Sequence, residues 1–211
     1  MKLCVPSWQL PGSWLFNLEK LAGIPWIEGI ELLFFSYDAE ARRLFAAEKA
    51  GIEAFAGRFS FSLHLPNGFV PADLDLIEST ESFVDFYILH PWDGRKSNLD
   101  IGAWAALVEK LRTSLGKNRF AMEYTSEKWF EECLSFAPDL PLCADTGCLI
   151  RNGRPPLGWI ASRKSAIREI HLHAAREGKD HLPLGPEDAW VPGLAAAGNG
   201  IDIDPVSAKS R

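Results

Sequence analysis

The spacing of apolar positions along the 211-residue chain changes period repeatedly. Short apolar runs of strand length alternate with longer stretches in which Leu, Ile, Phe and Ala recur every three or four residues. "KLCVPSW" reads as a strand. In "SWLFNLEKLAGI", Leu15, Leu18 and Leu21 fall at helical spacing and Gly23 supplies a stop. "WIEGIELLFF" predicts a second strand, and residues 38–51 a helix ending at Gly51. "RFSFSLHLP" is the third strand, followed by a weaker helix over 73–83. "FVDFYILHPW" is the fourth, and "LDIGAWAALVEKLRTSLG" a helix with apolar positions at 104, 107, 108 and 111. "RFAMEYT" gives the fifth strand and residues 126–137 a helix; "PLCADTGCLI" gives the sixth strand, running into a loop. A helix over 156–166, a strand at "IREIHLHAA" and a last strand at "GIDIDP" complete the pattern.

Seven or eight strands alternating with helices is the signature of βαβ units around a parallel sheet. Eight such units close a (β/α)8 TIM barrel. The expected fold class is therefore α/β, with one barrel domain over residues 1–206 and a tail over 207–211. About 250 residues is usual for that barrel. This chain is accordingly a compact example, or one lacking the last helix. A doubly wound open sheet is the alternative, but no GxGxxG turn follows the first strand, which lowers its dinucleotide-binding version.

Charge and cysteine usage narrow the function classes. The net charge of −6 disfavours a nucleic-acid partner, because phosphate contacts need a basic face. "SRKSAIR" at 162–168 is the longest basic cluster and reads as a solvated helix face. Cys4, Cys133, Cys143 and Cys148 form no CxxC pair, so they read as reduced thiols of a cytoplasmic protein rather than a disulfide framework or zinc knuckle. No run is long and apolar enough for a leader or a membrane span.

The chemistry lies in where polar residues fall. His64 stands near the end of the third strand, His90 ends the fourth, and Glu123 is near the end of the fifth. Asp145 is near the end of the sixth, with His171 and His173 near the end of the seventh. In a barrel those strand ends meet around one mouth, where active sites are built. One histidine alone is more often a hydrogen-bonded core residue than a ligand, Glu123 alone could pair with a lysine, and "ADTG" alone is good turn chemistry. Recurrence on five consecutive strands is what points to a shared divalent cation, because burying this many polar groups without a partner is costly. Imidazole and carboxylate ligands suit zinc, manganese or iron. His171 and His173, two apart on a strand, face the same way.

In order and spacing, "GIELLFF", "SLHLP", "ILHPW", "AMEYT", "CADTG", "IHLH" and "DHLPLG" resemble the xylose isomerase-like TIM barrels. That superfamily includes sugar isomerases and epimerases, endonuclease IV-like hydrolases and cobamide-remodelling phosphodiesterases. The resemblance implies a small-molecule substrate and one or two divalent ions, zinc or manganese. An isomerase or epimerase would hold a single ion on Glu123, Asp145 and His171. The hydrolase branch adds His64 and His90 and a metal cluster, with His181 on a loop after the seventh strand. The resemblance thus favours phosphodiester hydrolysis of a small or corrinoid-type substrate: Glu123 would bridge metals, and His173 or His181 would orient the phosphate or assist the leaving group. Trp92, Tyr124 and Asp180, with Phe69 nearby, would line the substrate site. An isomerase or epimerase, in which Glu123 moves a proton, is the first alternative; a non-catalytic ligand-binding barrel is the second.

The chain departs from the family pattern in three places. Cys148 replaces the usual His three residues after Asp145, Lys179 replaces an acid two residues before His181, and Asp202 and Asp204 stand in for an eighth-strand Glu. The last strand lies close to the C-terminus, so the barrel is either truncated or closed by a partner, for which a second copy is the candidate.

Overall fold

The computed structural model describes residues 4–90, 100–197 and 202–204, without the side chains of Asp180, residues 195–197 and residues 202–204. The alternation read from the sequence is present: β1 (Cys4–Pro6), α1 (Trp14–Leu21), β2 (Gly29–Leu33), α2 (Ala39–Glu53) and β3 (Ser60–His64) come first. Then follow α3 (Leu74–Thr80), β4 (Phe86–Leu89), α4 (Ile101–Leu115), β5 (Phe120–Glu123), α5 (Glu127–Phe136) and β6 (Leu142–Asp145). The order closes with α6 (Thr146–Arg151), α7 (Pro156–Arg163), β7 (Ile167–His171), β8 (Ala174–Arg176), β9 (Lys179–Leu182), α8 (Val191–Ala197) and β10 (Asp202–Asp204).

Local chemistry sets these boundaries. Asp38 and Asp100 cap α2 and α4 by accepting the amides of Ala41 and Ala103, satisfying donors that a helix start leaves open. Gly116, at φ 108°, ends α4 in a conformation that favours glycine. Several segments differ from the sequence reading. α2 runs through Gly51, the expected stop, to Glu53, and α8 is an additional helix. The stretch after β6 is not a loop: α6 begins directly, because the Asp145 side chain caps it. The segment after β7 forms an antiparallel hairpin, β8–β9, turned by Glu177 at φ 53° and Gly178 at φ 76°.

The parallel strands run in chain order, β1-β2-β3-β4-β5-β6-β7-β10, in one sheet. The sheet is curled, since its two outer strands, β1 and β10, come into contact. Among the described residues no ladder joins them. Asp204 is in register with His171, and Asp202 with Glu169, so the last strand carries its acids alongside the seventh strand's polar pair.

Burial separates the two faces of the sheet. Ile30, Leu32, Phe61, Leu63, Tyr87, Leu89, Phe120, Met122, Ala144 and Ile170 belong to the large apolar core shared with the helices. Phe86, Ile88, Ala121 and Cys143 form a small separate cluster, on the alternate positions that face inside the curl. The same inward phase carries Glu31, Ser62, His64, Glu123, Asp145, Glu169 and His171, all buried. At the tight end of this interior, a Cβ at Gly29 would stand 2.4 Å from Cys4 Sγ and 2.8 Å from Ser60 Oγ, so only glycine lets β1, β2 and β3 approach there.

Candidate metal and active site

Glu123 is the hub of the interior. Its Oε2 lies 3.1 Å from His64 Nε2 and 3.8 Å from His90 Nε2, and its Oε1 lies 2.9 Å from His171 Nδ1. Asp145 is the second hub. Its Oδ1 accepts the Cys148 amide at 2.6 Å, and its Oδ2 lies 3.0 Å from His173 Nε2. The His173 tautomer follows from its other nitrogen. Nδ1 accepts the His181 backbone N–H at 3.0 Å, so Nε2 carries the proton and donates to Asp145. The rings of His173 and His181 stack at 4.4 Å with an interplanar angle of 14°. Thr146 Oγ1 accepts the His173 N–H at 2.9 Å, fixing the chain just past β7. A Cβ on Gly147 would stand 2.0 Å from the His173 ring, so this glycine makes room for the imidazole.

Four donor sets result among the described residues, each with its ligand atoms within 4.8 Å of one another: His64, His90 and Glu123; Glu123, Asp145 and His171; Asp145, His173 and His181; and, deeper in the sheet, Cys143, Glu169 and His171. Two donors on a tetrahedral ion at about 2.1 Å would be separated by about 3.4 Å. The observed 2.9–3.8 Å separations around Glu123 therefore fit a divalent cation with small movements. His64 adds support from its far side, where Nδ1–H donates to the Leu65 carbonyl at 2.9 Å and leaves Nε2 aimed at Glu123.

Electrostatics match this geometry. Burial works against charge on every group here, and the neighbours decide the outcome. Burial raises the Glu123 carboxyl, but His171 and His64 outweigh it and hold it well below the usual range. Burial opposes protonation of His171, yet Cys143, Glu31 and Glu123 hold its pKa well above the usual value. The Cys143 thiol is itself pushed well above its normal value by burial, so the carboxylates supply that negative charge. His64 is raised because Glu123 outweighs its burial. Burial, reinforced by the Glu31 charge, raises Glu169.

All the sequence-derived metal candidates converge: His64, His90, Glu123, Asp145 and His171 all lie at the carboxyl ends of β3 to β7. His173 and His181 also reach the site, the first buried and the second at the exposed rim, on the unexpected hairpin. Tyr124 does not line it. It is fully buried on the helix side of the sheet against Phe130 and Trp159, with its hydroxyl on Glu127. Phe69 likewise belongs to the large core. Inward and outward positions alternate on a strand, so Tyr124, next to Glu123, has to face the other way. Trp92 lies outside the described residues, and Asp180 is placed in β9 by backbone only. Cys148 joins no donor set among the described residues; burial and then the Asp145 charge push its thiol far upward, and Arg151 Nη2 lies 3.4 Å from its sulfur.

The sequence reading, which looked only at strand ends, passed over Glu31 and Glu169. Both are buried mid-strand, in "GIELL" and "IREIH", and both reach His171 Nε2, at 3.2 Å and 3.1 Å. A lone Glu between apolar residues in a buried parallel strand is a signal that would have found Glu31; Glu169 follows Arg168 and gives no such signal. Other aromatic residues stand near the carboxyl end of the sheet. Trp8 and Phe35, 58% and 42% exposed, line a cavity of about 360 Å³ with Trp14 and Asp38, and the Phe35 ring lies 5.4 Å from that of His64.

No family model matches the chain, and no curated protein does. Solved structures do. A xylose isomerase domain protein from Alicyclobacillus acidocaldarius subsp. acidocaldarius superposes with a TM-score of 0.65 at 16% identity, covering 100% of this chain and 91% of that one. An L-ribulose 3-epimerase gives 0.64 at 14%, covering 100% and 82%. The 3-keto-D-glucoside 4-epimerase from E. coli gives 0.62 at 10%, covering 100% and 94%. The chain thus shares its α/β fold, a curled parallel sheet flanked by helices, with these structures. No described helix is long and apolar enough to cross a membrane.

Proposed function

We propose that the chain is a divalent-metal-dependent isomerase or epimerase acting on a small sugar-like hydroxyketone. One observation carries this reading: Glu123, Asp145 and His171, from three consecutive strands, bring their ligand atoms within 4.8 Å at the carboxyl end of the sheet. Epimerases among the fold neighbours support it. Zinc and manganese suit this donor set. A divalent ion there would act as a Lewis acid on adjacent carbonyl and hydroxyl oxygens of the substrate. Glu123, held as a carboxylate, accepts the proton from the neighbouring carbon without first losing one of its own. His64 and His90 hold Glu123 from the other side, and the Trp8–Phe35 cavity takes the rest of the substrate. The β1–β10 contact belongs, in this reading, to a closed eight-stranded barrel in a single domain.

The test is solvent deuterium uptake into a panel of ketoses and ketose phosphates, with manganese or zinc added. Uptake at the carbon next to the carbonyl, lost by at least 100-fold in Glu123→Gln with its fold intact, is the expected result. No uptake with any member removes the reading.

The two flanking donor sets favour a second reading, phosphodiester hydrolysis of a small or corrinoid-type substrate. Glu123 and Asp145 are each shared between adjacent sets, so each would help to hold two ions, and a pair of ions would polarise a phosphodiester and supply a hydroxide. Elemental analysis decides between the readings. Two or more ions in the wild type, falling by one in His64→Ala with His90→Ala, would favour hydrolysis. One ion, unaffected by that change, would favour the isomerase. An ion-free protein would point to a ligand-binding barrel.

A further inference from the structure

We infer that Glu31 and Glu169 are positioning residues that fix which nitrogen of His171 is offered to a cation: Nδ1 toward the mouth, with Nε2–H anchored inside the sheet. The inference rests on the metal reading above and deepens it.

The imidazole of His171 is held from both sides. Its Nδ1 lies 2.9 Å from Glu123 Oε1, while its Nε2 lies 3.1 Å from Glu169 Oε1 and 3.2 Å from Glu31 Oε1. A neutral imidazole has one N–H and one lone pair, and the partner of the N–H decides which nitrogen coordinates. In the neutral ring that a cation requires, two arrangements are compatible with the contacts. Either Nε2–H donates to Glu169, with the Glu31 carboxylate at 3.2 Å adding its charge, and Nδ1 coordinates, or Nδ1–H donates to Glu123 and an ion would be held by Cys143, Glu169 and Nε2, which also form a donor set.

Access separates them. Glu31, Glu169 and Cys143 are at most 1% exposed and lie beneath the site, on the side away from the mouth. The Nδ1 side faces Glu123 and Asp145, whose donor sets extend to His90, 17% exposed in its side chain, and to the exposed His181. A cation and a substrate reach the imidazole from the Nδ1 side. A buried ligand whose second nitrogen is pinned by carboxylates also loses little freedom on binding, which is why removing such partners typically weakens metal affinity about 10–100-fold.

A purely structural role has its own rationale. Glu31 on β2 and His171 on β7 lie on either side of the β1–β10 contact, where no ladder joins the described strands, so their contact also ties the sheet edges together. The experiment therefore reads the nitrogen, not only the fold. Long-range proton–nitrogen NMR of the ¹⁵N-histidine-labelled full chain, with zinc added, should show His171 coordinated through Nδ1 and keeping a slowly exchanging Nε2–H. Zinc affinity should fall 10–100-fold in Glu169→Gln combined with Glu31→Gln, with the far-ultraviolet dichroism unchanged. Coordination through Nε2, or unchanged affinity in the folded double variant, overturns the inference while leaving a metal site in place. A wild-type chain that takes up no zinc or manganese overturns the metal reading and this inference together. If the double variant does not fold, the wild-type spectrum decides alone.

Discussion

Gly147 and Gly178 act through space and through backbone conformation respectively. A methyl at Gly147 would meet the His173 ring at 2.0 Å, a contact the flanking Thr146 anchor does not let the imidazole escape. Overpacking of this kind typically costs about 1–3 kcal/mol. Gly147→Ala should therefore lower the urea midpoint and weaken cation uptake together. A lowered midpoint with unchanged uptake would separate His173 from the site. Asp139 shows a different residue-level effect. The side chain of Arg112 is 1% exposed and reaches Asp139 Oδ1 at 3.0 Å, and with Lys117 it lowers the Asp139 pKa to about 2. A carboxyl depressed in the folded chain contributes stability above its unfolded value, about 3.9, and loses it as pH falls toward 2. Melting curves from pH 5 to pH 2 should fall less steeply in Asp139→Asn than in the wild type. Identical slopes would mean that the exposed half of the pair leaves its charge to solvent.

At the scale of elements, most of the fold was legible because each βα unit carries its own punctuation. Asp38, Asp100 and Gly116 are ordinary start and stop residues, and the strands they separate are short apolar runs. What escaped was local chemistry serving two purposes. "ADTG" is good turn sequence, yet Asp145 caps α6 and holds His173 with its two oxygens, so the expected loop is a helix. "REGKD" turns on Glu177 and Gly178, which is not a usual hairpin pair, and β8 and β9 are only three and four residues long, too short for a strand pattern to show. That hairpin matters, since its backbone at His181 donates to His173 Nδ1 and so sets the tautomer that faces Asp145. Gly178 sits at φ 76°, where a non-glycine residue costs about 1–2 kcal/mol. Gly178→Ala should loosen the hairpin by that amount, seen as faster amide exchange at His181, while the exchange of β3 to β6 stays unchanged. Equal protection in both chains would mean the hairpin is held by its contacts with α6 rather than by its turn.

For the whole molecule, the same alternation that made the mouth legible hid the interior. Reading strand ends found the five metal candidates, because a parallel sheet brings all its carboxyl ends to one side. It missed Glu31 and Glu169, which sit one layer deeper, and it misassigned Tyr124, whose inward or outward direction depends on strand phase rather than on position. The result is a curled sheet whose interior holds Glu31, Glu123, Asp145 and Glu169 against His64, His171 and His173, all buried. Like charges gathered out of water destabilise a fold unless a counter-charge joins them, and an ion that binds only the folded chain stabilises it by mass action. At a free-ion concentration of 100 times Kd that stabilisation is about 2.7 kcal/mol, which for a chain of this size is roughly 5–11 °C in melting temperature. Melting the metal-stripped chain with and without added zinc or manganese should show this shift, and Glu123→Gln should abolish most of it. A melting temperature indifferent to both chelator and metal would mean that the interior histidines alone balance these carboxylates, and the strand ends would then be a ligand-binding surface rather than a metal centre.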